Sequence, residues 1–270
     1  HETTTKKQNR GNLYLAKIAR VEPSLQAAFV DYGNERHGFL AFSEIHPDYF
    51  QIPIADKEEL LKEESSQLDE QKNVDENAID AEIDSSNNSV KINPPKKSNF
   101  YHKYRIQEVI KKGQILLVQV AKEERGNKGA ALTTFISLAG RYCVLMTNTI
   151  RKGGISRRIT HSNDRKKLRS IIEGLNIPTN MGVIIRTAGS KMNKVEIKRD
   201  YNFLTKTWES IKAHTLKSVA PTLIHEENNI IKRGIRDLYT AEVEEIFVQG
   251  VSAFKAAKSY MKTLMPSKTK

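Results

Sequence analysis

The sequence predicts an α+β protein with an all-β N-terminal part followed by alternating helices and strands. Three observations support this prediction. Short runs of alternating apolar and polar residues cover 12–18, 27–32 and 115–121, as in half-buried strands. From residue 162 onward, apolar residues recur at helical spacing, and short apolar runs separate these segments. A strongly acidic segment without aromatic residues interrupts the first part.

The charge of the chain is unevenly distributed. The total is +12, but residues 55–89 contain twelve acids and three lysines, a net charge of −9. The total therefore divides into −9 for this segment and +21 for the other 235 residues. A folded part this basic attracts polyanions, and nucleic acid is the partner that the composition favours.

Two phenylalanines are predicted on one face of neighbouring strands. Residues 27–32 and 37–40 are separated by a turn at Gly33, and Phe29 and Phe39 fall in phase with polar neighbours. A single Phe in such a strand usually belongs to the core. Two in phase in a basic protein instead favour a platform on which bases stack, and both interpretations stay open here.

The acidic segment is predicted to be a disordered insertion over 55–98, because it cannot bury enough apolar surface to fold. Helical spacing over 104–112, ended by Gly113, and a strand over 115–121 follow it. The segment therefore interrupts one domain and does not separate two.

The heptapeptide VIIRTAG at 183–189 is a candidate anion site. A buried-type strand is followed at once by Arg186 and Thr187, which offer a fork of guanidinium donors and a hydroxyl, and Gly189 permits close approach. An ordinary surface turn is the alternative.

The remaining C-terminal elements are predicted mainly from periodicity. We expect a helix capped by Ser162 or Asn163, a strand over 182–185, and a long helix from about residue 194 that buries Trp208. The predicted elements that follow are a strand at 223–225, a helix over 228–238, a strand at 245–249 and a helix over 253–264. The single cysteine, Cys143, is expected in the core, and His225 beside Glu226 and Glu227 is expected to form a surface pair.

Several strings carry a family resemblance. AAFVDYG at 27–33, HGFL at 37–40 and SEI at 43–45 resemble the S1 RNA-binding domain, an OB-fold β-barrel. KEERGNKGAALTTFISLAG at 122–140, GGISRR at 153–158 and IRTAG at 185–189 then resemble the RNase E/G family of endoribonucleases, in the family's order. The resemblance covers nearly the whole chain except the acidic segment.

The resemblance implies a domain plan and a set of site residues. Residues 1–10 are similar to the end of an N-terminal RNase H-like part, 11–122 to the S1 domain with its insertion at 55–98, 123–199 to a 5′-sensor region, and 200–270 to an RNase H-like region. The RNA-binding positions it implies are Phe29, Phe39, Lys122 and Lys128. The positions it implies for a 5′-monophosphate are Gly140, Val144, Arg157, Arg186 and Thr187.

The resemblance also implies Mg²⁺-dependent cleavage of RNA in rRNA and tRNA processing and mRNA decay. The family's two metal-binding aspartates and its zinc-link cysteines have no counterpart in this sequence, so we expect a segment that ends before the catalytic domain and is inactive alone. A stand-alone single-stranded RNA-binding protein and an interaction scaffold are the alternatives.

The expected partner is single-stranded RNA with a 5′-monophosphate, and the resemblance allows a homo-oligomer in the complete enzyme. No apolar run approaches 18 residues and the N-terminus shows no signal-peptide pattern, so we expect a soluble, cytoplasmic protein without a transmembrane segment.

Overall fold

A long first strand joins the two parts of the molecule. The computed structural model describes residues 9–53, 56, 104–149, 153–227, 229–239 and 243–264. Strand β1 (Leu13–Glu22) pairs with the second strand along its C-terminal half and with the last strand of the chain along Leu13–Leu15. Side chains on the two faces of β1 enter two different hydrophobic cores.

Five strands close a barrel. They are β1, β2 (Ala27–Asp31), β3 (Gly38–Ala41), β4 (Ile115–Lys122) and β5 (Ala131–Thr133). The order is β1-β2-β3-β5-β4, with β4 pairing back onto β1, and all pairings are antiparallel except the parallel β3–β5 pair. The predicted OB-type barrel is confirmed.

The helix predicted over 104–112 is much shorter in the structure. Helix α1 (Ile106–Val109) makes one turn, and Ile110 is already extended. The carbonyl of Val109 accepts the N–H of Gln51, and Ile110 is 1 % exposed, so tertiary pairing and burial override the local helical preference. Gly113, at φ +86°, turns the chain into β4.

A second, four-stranded sheet follows the barrel. Its strands are β6 (Ser137–Ala139), β7 (Cys143–Thr147), β8 (Gly153–Ile155) and β9 (Met181–Ile185), in the order β6-β7-β9-β8. One face of β7 and β9 is buried through Cys143, Leu145, Val183 and Ile185, each 0 % exposed. The prediction that Cys143 is a core residue is confirmed.

Two helices belong to this second core. Helix α2 (Ser162–Glu173) begins one or two residues earlier than the two predicted caps imply, because the N–H of Arg165 bonds the carbonyl of His161. The predicted caps Ser162 and Asn163 therefore lie inside the helix. Helix α3 (Lys194–Lys217) is capped by Asn193, whose side chain accepts the N–H of Glu196. The apolar residues of its buried face recur at helical spacing: Ile197, Tyr201, Leu204, Trp208 and Ile211. The prediction that Trp208 is a core residue is confirmed.

The C-terminal region returns to the barrel and then forms a small helical pair. Strand β10 (Thr222–His225) pairs with β1. Helices α4 (Ile230–Leu238) and α5 (Val251–Leu264) enclose a third core around Ile235 and Leu264. The strand predicted at 245–249 is wrong: residues 243–249 are irregular, and Phe247 is 89 % exposed. An isolated extended segment is not stable without a paired strand, and the described strands do not pair with this one.

Apart from Asp56, the predicted acidic insertion lies outside the described residues, as do residues 1–8 of the predicted N-terminal remnant. The domain boundaries stay predictions. In the part of the chain that the structure describes, no helix is long and apolar enough to cross a membrane.

Candidate nucleic-acid interface

An aromatic pair lies on the outer face of the barrel. Phe29 and Phe39 are directly opposite each other on β2 and β3, with ring centroids 6.1 Å apart and an interplanar angle of 75°. Both are partly exposed, whereas Ala28, Val30 and Leu40 on the alternate positions are fully buried. The strand geometry therefore leaves both rings partly exposed on the outer face of the barrel; their contact with RNA stays a prediction.

Two cations extend this pair into a row across the barrel. The guanidinium carbon of Arg20 lies 4.4 Å from the ring centroid of Phe29, its cross-strand partner. On the other side, Phe39 is opposite Ala131, and Ala131 is opposite the exposed Lys122. The row thus combines one cation over Phe29, the two rings and a second cation beyond Phe39, which is the combination of charge and aromatic surface that single-stranded nucleic acid requires.

Lys128 lies in the hairpin between β4 and β5, which follows Lys122 in the chain. The backbones of Arg125 and Lys128 exchange two hydrogen bonds of 3.1 Å, and Nη1 of Arg36 donates to the carbonyl of Gly126 at the tip. The hairpin is thus tied to the loop before β3. Lys128 is exposed, so its ammonium group is accessible to solvent.

The five residues predicted to bind a 5′-phosphate lie at one end of the four-stranded sheet, where β8 and β9 end and β7 begins. Strands β8 and β9 run parallel with Ile155 opposite Ile185, so Arg157 and Arg186 both follow the C-terminal ends of their strands, at the same end of the sheet. Strand β7 runs the other way and begins there, with Cys143 opposite Ile185. This register places the turn at Gly140 at the same end of the sheet and Val144 one residue further along β7 than Cys143. Thr187 follows Arg186 directly in the chain.

Among the described residues, the guanidinium of Arg186 is held through one nitrogen. Its Nη1 donates to the carbonyl of Gly140 at 2.6 Å, to Oδ1 of Asp237 at 2.9 Å and, at the limit of bonding, to the carbonyl of Arg141 at 3.4 Å. Within the described residues, Nε and Nη2 of Arg186 and the hydroxyl of Thr187 make no hydrogen bond. The Arg186 side chain is 30 % exposed.

A buried carboxylate shapes the turn that receives Arg186. Asp200 on α3 is 4 % exposed and accepts the backbone N–H groups of Arg141 at 3.0 Å and of Tyr142 and Cys143 at 2.8 Å each. Burial raises the pKa of Asp200 above its ordinary value, and the three N–H groups and Arg186 oppose that rise without cancelling it. These bonds direct the carbonyl of Gly140 towards Arg186.

Sequence reasoning missed three residues of these surfaces. Asp200 could have been found, because it is an acid on the buried face of α3 between Ile197 and Leu204. Arg20 and Asp237 carried no such signal, since only the pairing of β1 with β2 and the packing of α4 bring them to their partners. The expected pairing of His225 is present, with its Nε2 3.3 Å from Oε2 of Glu227, although both side chains are largely buried.

Comparison with known proteins tests the resemblance. The model of the Ribonuclease E/G family matches residues 137–270. The sequence is 39 % identical to Ribonuclease E of Haemophilus influenzae over 98 % of this chain and 24 % of that protein. It is 38 % identical to Ribonuclease E of Escherichia coli over 97 % of this chain and 20 % of that protein.

A third relative, the putative ribonuclease E of Buchnera aphidicola subsp. Baizongia pistaciae, is 40 % identical over 96 % of this chain and 52 % of that protein.

The chain belongs to the Ribonuclease E/G family.

The family assignment from the sequence strings is thereby confirmed. The aligned parts include both the barrel and the four-stranded sheet, so both candidate surfaces of this Ribonuclease E/G family chain fall within the regions of similarity. The chain spans about a quarter or less of the length of the Haemophilus and Escherichia relatives and about half of the Buchnera one.

Proposed function

We propose that this Ribonuclease E/G family chain binds single-stranded RNA on its barrel and recognises a 5′-monophosphate at the end of its four-stranded sheet where β8 and β9 finish. The RNA strand lies along the row formed by Arg20, Phe29, Phe39 and Lys122. Its 5′ end is read by Arg186 and Thr187. Stacking on the rings and charge-assisted contacts to the phosphates supply the binding energy.

The observation that carries this proposal is the free donor edge of Arg186. The guanidinium is oriented through Nη1, while Nε, Nη2 and the neighbouring Thr187 hydroxyl have no acceptor among the described residues. An Nε–Nη2 edge can bind two oxygens of one phosphate, and the hydroxyl can donate to a third. A hydroxyl end of RNA offers no such set of charged acceptors.

The other three residues predicted at the phosphate site have different roles from Arg186 and Thr187. Arg157 follows β8 at the same end of the sheet as Arg186 and adds a second, exposed cation there. Gly140 supports Arg186 through its carbonyl, and Val144 lies on the partly exposed face of β7 beside Ile184. We propose that Arg157 contacts the phosphate and that Gly140 and Val144 form the wall of the pocket.

We further propose that the whole protein is a Mg²⁺-dependent endoribonuclease acting in rRNA and tRNA processing and in mRNA decay, since the relatives are named ribonucleases. Within the part of the chain that the structure describes, no group of three or more His, Cys, Asp and Glu could hold a metal ion. The roles proposed for the described residues are binding roles.

Competition binding with two RNAs tests the proposed 5′-end recognition. One RNA carries a 5′-monophosphate and the other, of the same sequence, a 5′-hydroxyl. Charge-assisted hydrogen bonds contribute about 1.5–3 kcal/mol each at best, and solvent access reduces this, so we expect a preference of about tenfold for the monophosphate. Arg186→Leu is expected to abolish the preference and to leave binding of the hydroxyl RNA nearly unchanged.

Two further variants sharpen the test. Arg186→Lys keeps the charge but loses the planar fork, so it is expected to retain only part of the preference. Arg199→Leu removes an exposed arginine from the outer side of α3 and is expected to leave the preference intact. Equal affinity of the wild-type chain for both RNAs, or an equal loss for both in Arg186→Leu, would show that Arg186 is a general basic contact.

A further inference from the structure

The partner of Arg186 on helix α4 is a carboxylate that holds only one side of the guanidinium. Oδ1 of Asp237 lies 2.9 Å from Nη1, the same nitrogen that donates to the carbonyl of Gly140. Nε and Nη2 are the other two nitrogens of the planar guanidinium, and within the described residues neither of them makes a hydrogen bond. A carboxylate that mimicked the phosphate would be expected to occupy the Nε–Nη2 edge, which is the better bidentate site.

Asp237 is itself fixed by a second arginine. Arg236 donates from Nε to Oδ1 of Asp237 at 3.1 Å and from Nη2 to Oδ2 at 3.0 Å, and its side chain is 11 % exposed. Burial alone would raise the pKa of Asp237, but the hydrogen bonds and charges of Arg236 and Arg186 outweigh it and lower the pKa. The carboxylate therefore stays ionised at neutral pH and has little freedom to move.

The remaining nitrogen of Arg236 extends the network to the turn before β7. Its Nη1 donates to Oε1 of Glu227 at 2.7 Å and to the carbonyl of Ala139 at 3.2 Å. Arg236 and Arg186 thus bind the consecutive carbonyls of Ala139 and Gly140. Hydrogen bonds from these two arginines therefore connect helix α4 continuously with the turn before β7.

We propose that Asp237 is a positioning residue for 5′-end recognition: it holds Nη1 of Arg186 so that the Nε–Nη2 edge faces the incoming phosphate. This inference rests on the proposed function of Arg186. The charge of Asp237 does not repel the phosphate strongly, because Arg236 binds both of its oxygens. Asp237 does not touch the ligand and acts only through Arg186.

The experiment uses the 270-residue chain and the same two RNAs. Asp237→Ala frees Arg186 from its anionic anchor, so the guanidinium must be ordered when the phosphate binds. Loss of the hydrogen bond between Nη1 of Arg186 and Asp237 is expected to lower affinity for the monophosphate RNA about fivefold and to leave affinity for the hydroxyl RNA unchanged. The expected tenfold preference for the monophosphate therefore falls to about twofold. Asp237→Asn retains an oxygen that can accept from Nη1, and we expect it to keep an intermediate preference.

A double variant and a charge control separate positioning from general effects. In an Arg186→Leu background, Asp237→Ala is expected to change neither affinity, because it acts only through Arg186. Glu245→Gln removes one exposed negative charge from the segment between α4 and α5 and is expected to leave the preference unchanged. Urea unfolding of each variant establishes that the compared chains are folded.

The outcomes distinguish this inference from the proposed function. A wild-type preference that survives undiminished in both Asp237 variants overturns the inference alone. An increased preference in Asp237→Ala would identify Asp237 as a competitor of the phosphate and overturns it as well, as would an equal loss for both RNAs. No preference in the wild-type chain overturns the proposed function and this inference with it.

Discussion

The carboxylate of Asp200 occupies the space in which any residue other than glycine at position 140 would carry its Cβ. An ideal Cβ on Gly140 would lie 2.5 Å from Oδ2 and 2.8 Å from Oδ1 of Asp200. The same Oδ2 accepts the N–H groups of Tyr142 and Cys143. Gly140 and Asp200 therefore depend on each other, since the carboxylate reaches the turn only when no side chain is present there.

Gly140→Ala is expected to destabilise the fold, because the new methyl group forces the buried Asp200 carboxylate away from its three backbone donors. Overpacking of this kind costs about 1–3 kcal/mol in the free energy of unfolding. Urea denaturation measures the loss. Gly154→Ala is the matched control: this glycine lies on β8 of the same sheet with no heavy atom within 4 Å of an ideal Cβ, so we expect a change within about 0.5 kcal/mol. Equal stability of the two variants would contradict the proposed dependence.

Asp200→Asn is expected to remove a pH dependence of stability. Burial raises the folded-state pKa of Asp200 above the ordinary value of 3.8, although three backbone N–H groups act against it. The unfolded chain therefore releases this proton at lower pH than the folded chain, and the contribution of Asp200 to stability falls as the pH rises from 3.8 through the folded pKa. The difference in unfolding free energy between wild type and Asp200→Asn should decrease over that window and then level off.

Asp237→Asn provides a control of opposite sign for this titration. Burial would raise the pKa of Asp237, but Arg236 and Arg186 lower it below 3.8, so its contribution is present above that pH and is lost as the pH falls through the folded pKa. Urea denaturation of the three chains across the acid range measures both slopes. Parallel pH profiles for wild type and Asp200→Asn would show that Asp200 titrates normally.

Phe29→Ala and Phe39→Ala are each expected to weaken RNA binding by about 1–3 kcal/mol per stacked base lost. The rings are partly exposed, so the variants should retain their fold better than a core Phe→Ala substitution, which costs about 3–5 kcal/mol. Phe247→Ala, which removes an 89 % exposed ring from the segment between α4 and α5, is the control and should not alter affinity. Unchanged affinity of folded Phe29→Ala and Phe39→Ala would exclude the stacking role.

The sequence predicted the elements that repeat a local pattern and missed the contacts that join distant segments. The alternation over 27–32 and 37–40 was sufficient to place Phe29 and Phe39 on one face, because the side-chain period of a strand is two. The helical spacing of α3 likewise identified Trp208 as a core residue. The pairing of β10 with β1 joins residues 222–225 to 13–15, and no local pattern contains it.

The phosphate-site prediction shows the same division. VIIRTAG identified Arg186 and Thr187 from residue chemistry alone. What orients Arg186 is supplied by Asp237 on α4 and, through the turn at Gly140, by Asp200 on α3, which are 51 and 14 positions away along the chain. The wrong strand at 245–249 has a related cause, since its short apolar pattern is compatible with a strand but pairs with none of the strands in the described ranges.

Lys122 and Lys128 are expected to contribute to RNA affinity mainly through the phosphates. Each lysine that neutralises one phosphate of a single strand lowers the slope of log affinity against log salt by about 0.7, so Lys122→Ala and Lys128→Ala should each make the salt dependence shallower by about that amount. Both lysines are exposed, Lys122 at the end of the aromatic row and Lys128 in the hairpin that follows it, whereas Lys198 is exposed on α3. Lys198→Ala is the control and should leave the slope unchanged. Binding measured over a series of salt concentrations gives the slopes. The Phe29 and Phe39 variants should bind more weakly with an unaltered slope, because stacking releases no counterions. If Lys122→Ala and Lys128→Ala leave the slope at its wild-type value, the RNA backbone does not follow this side of the barrel.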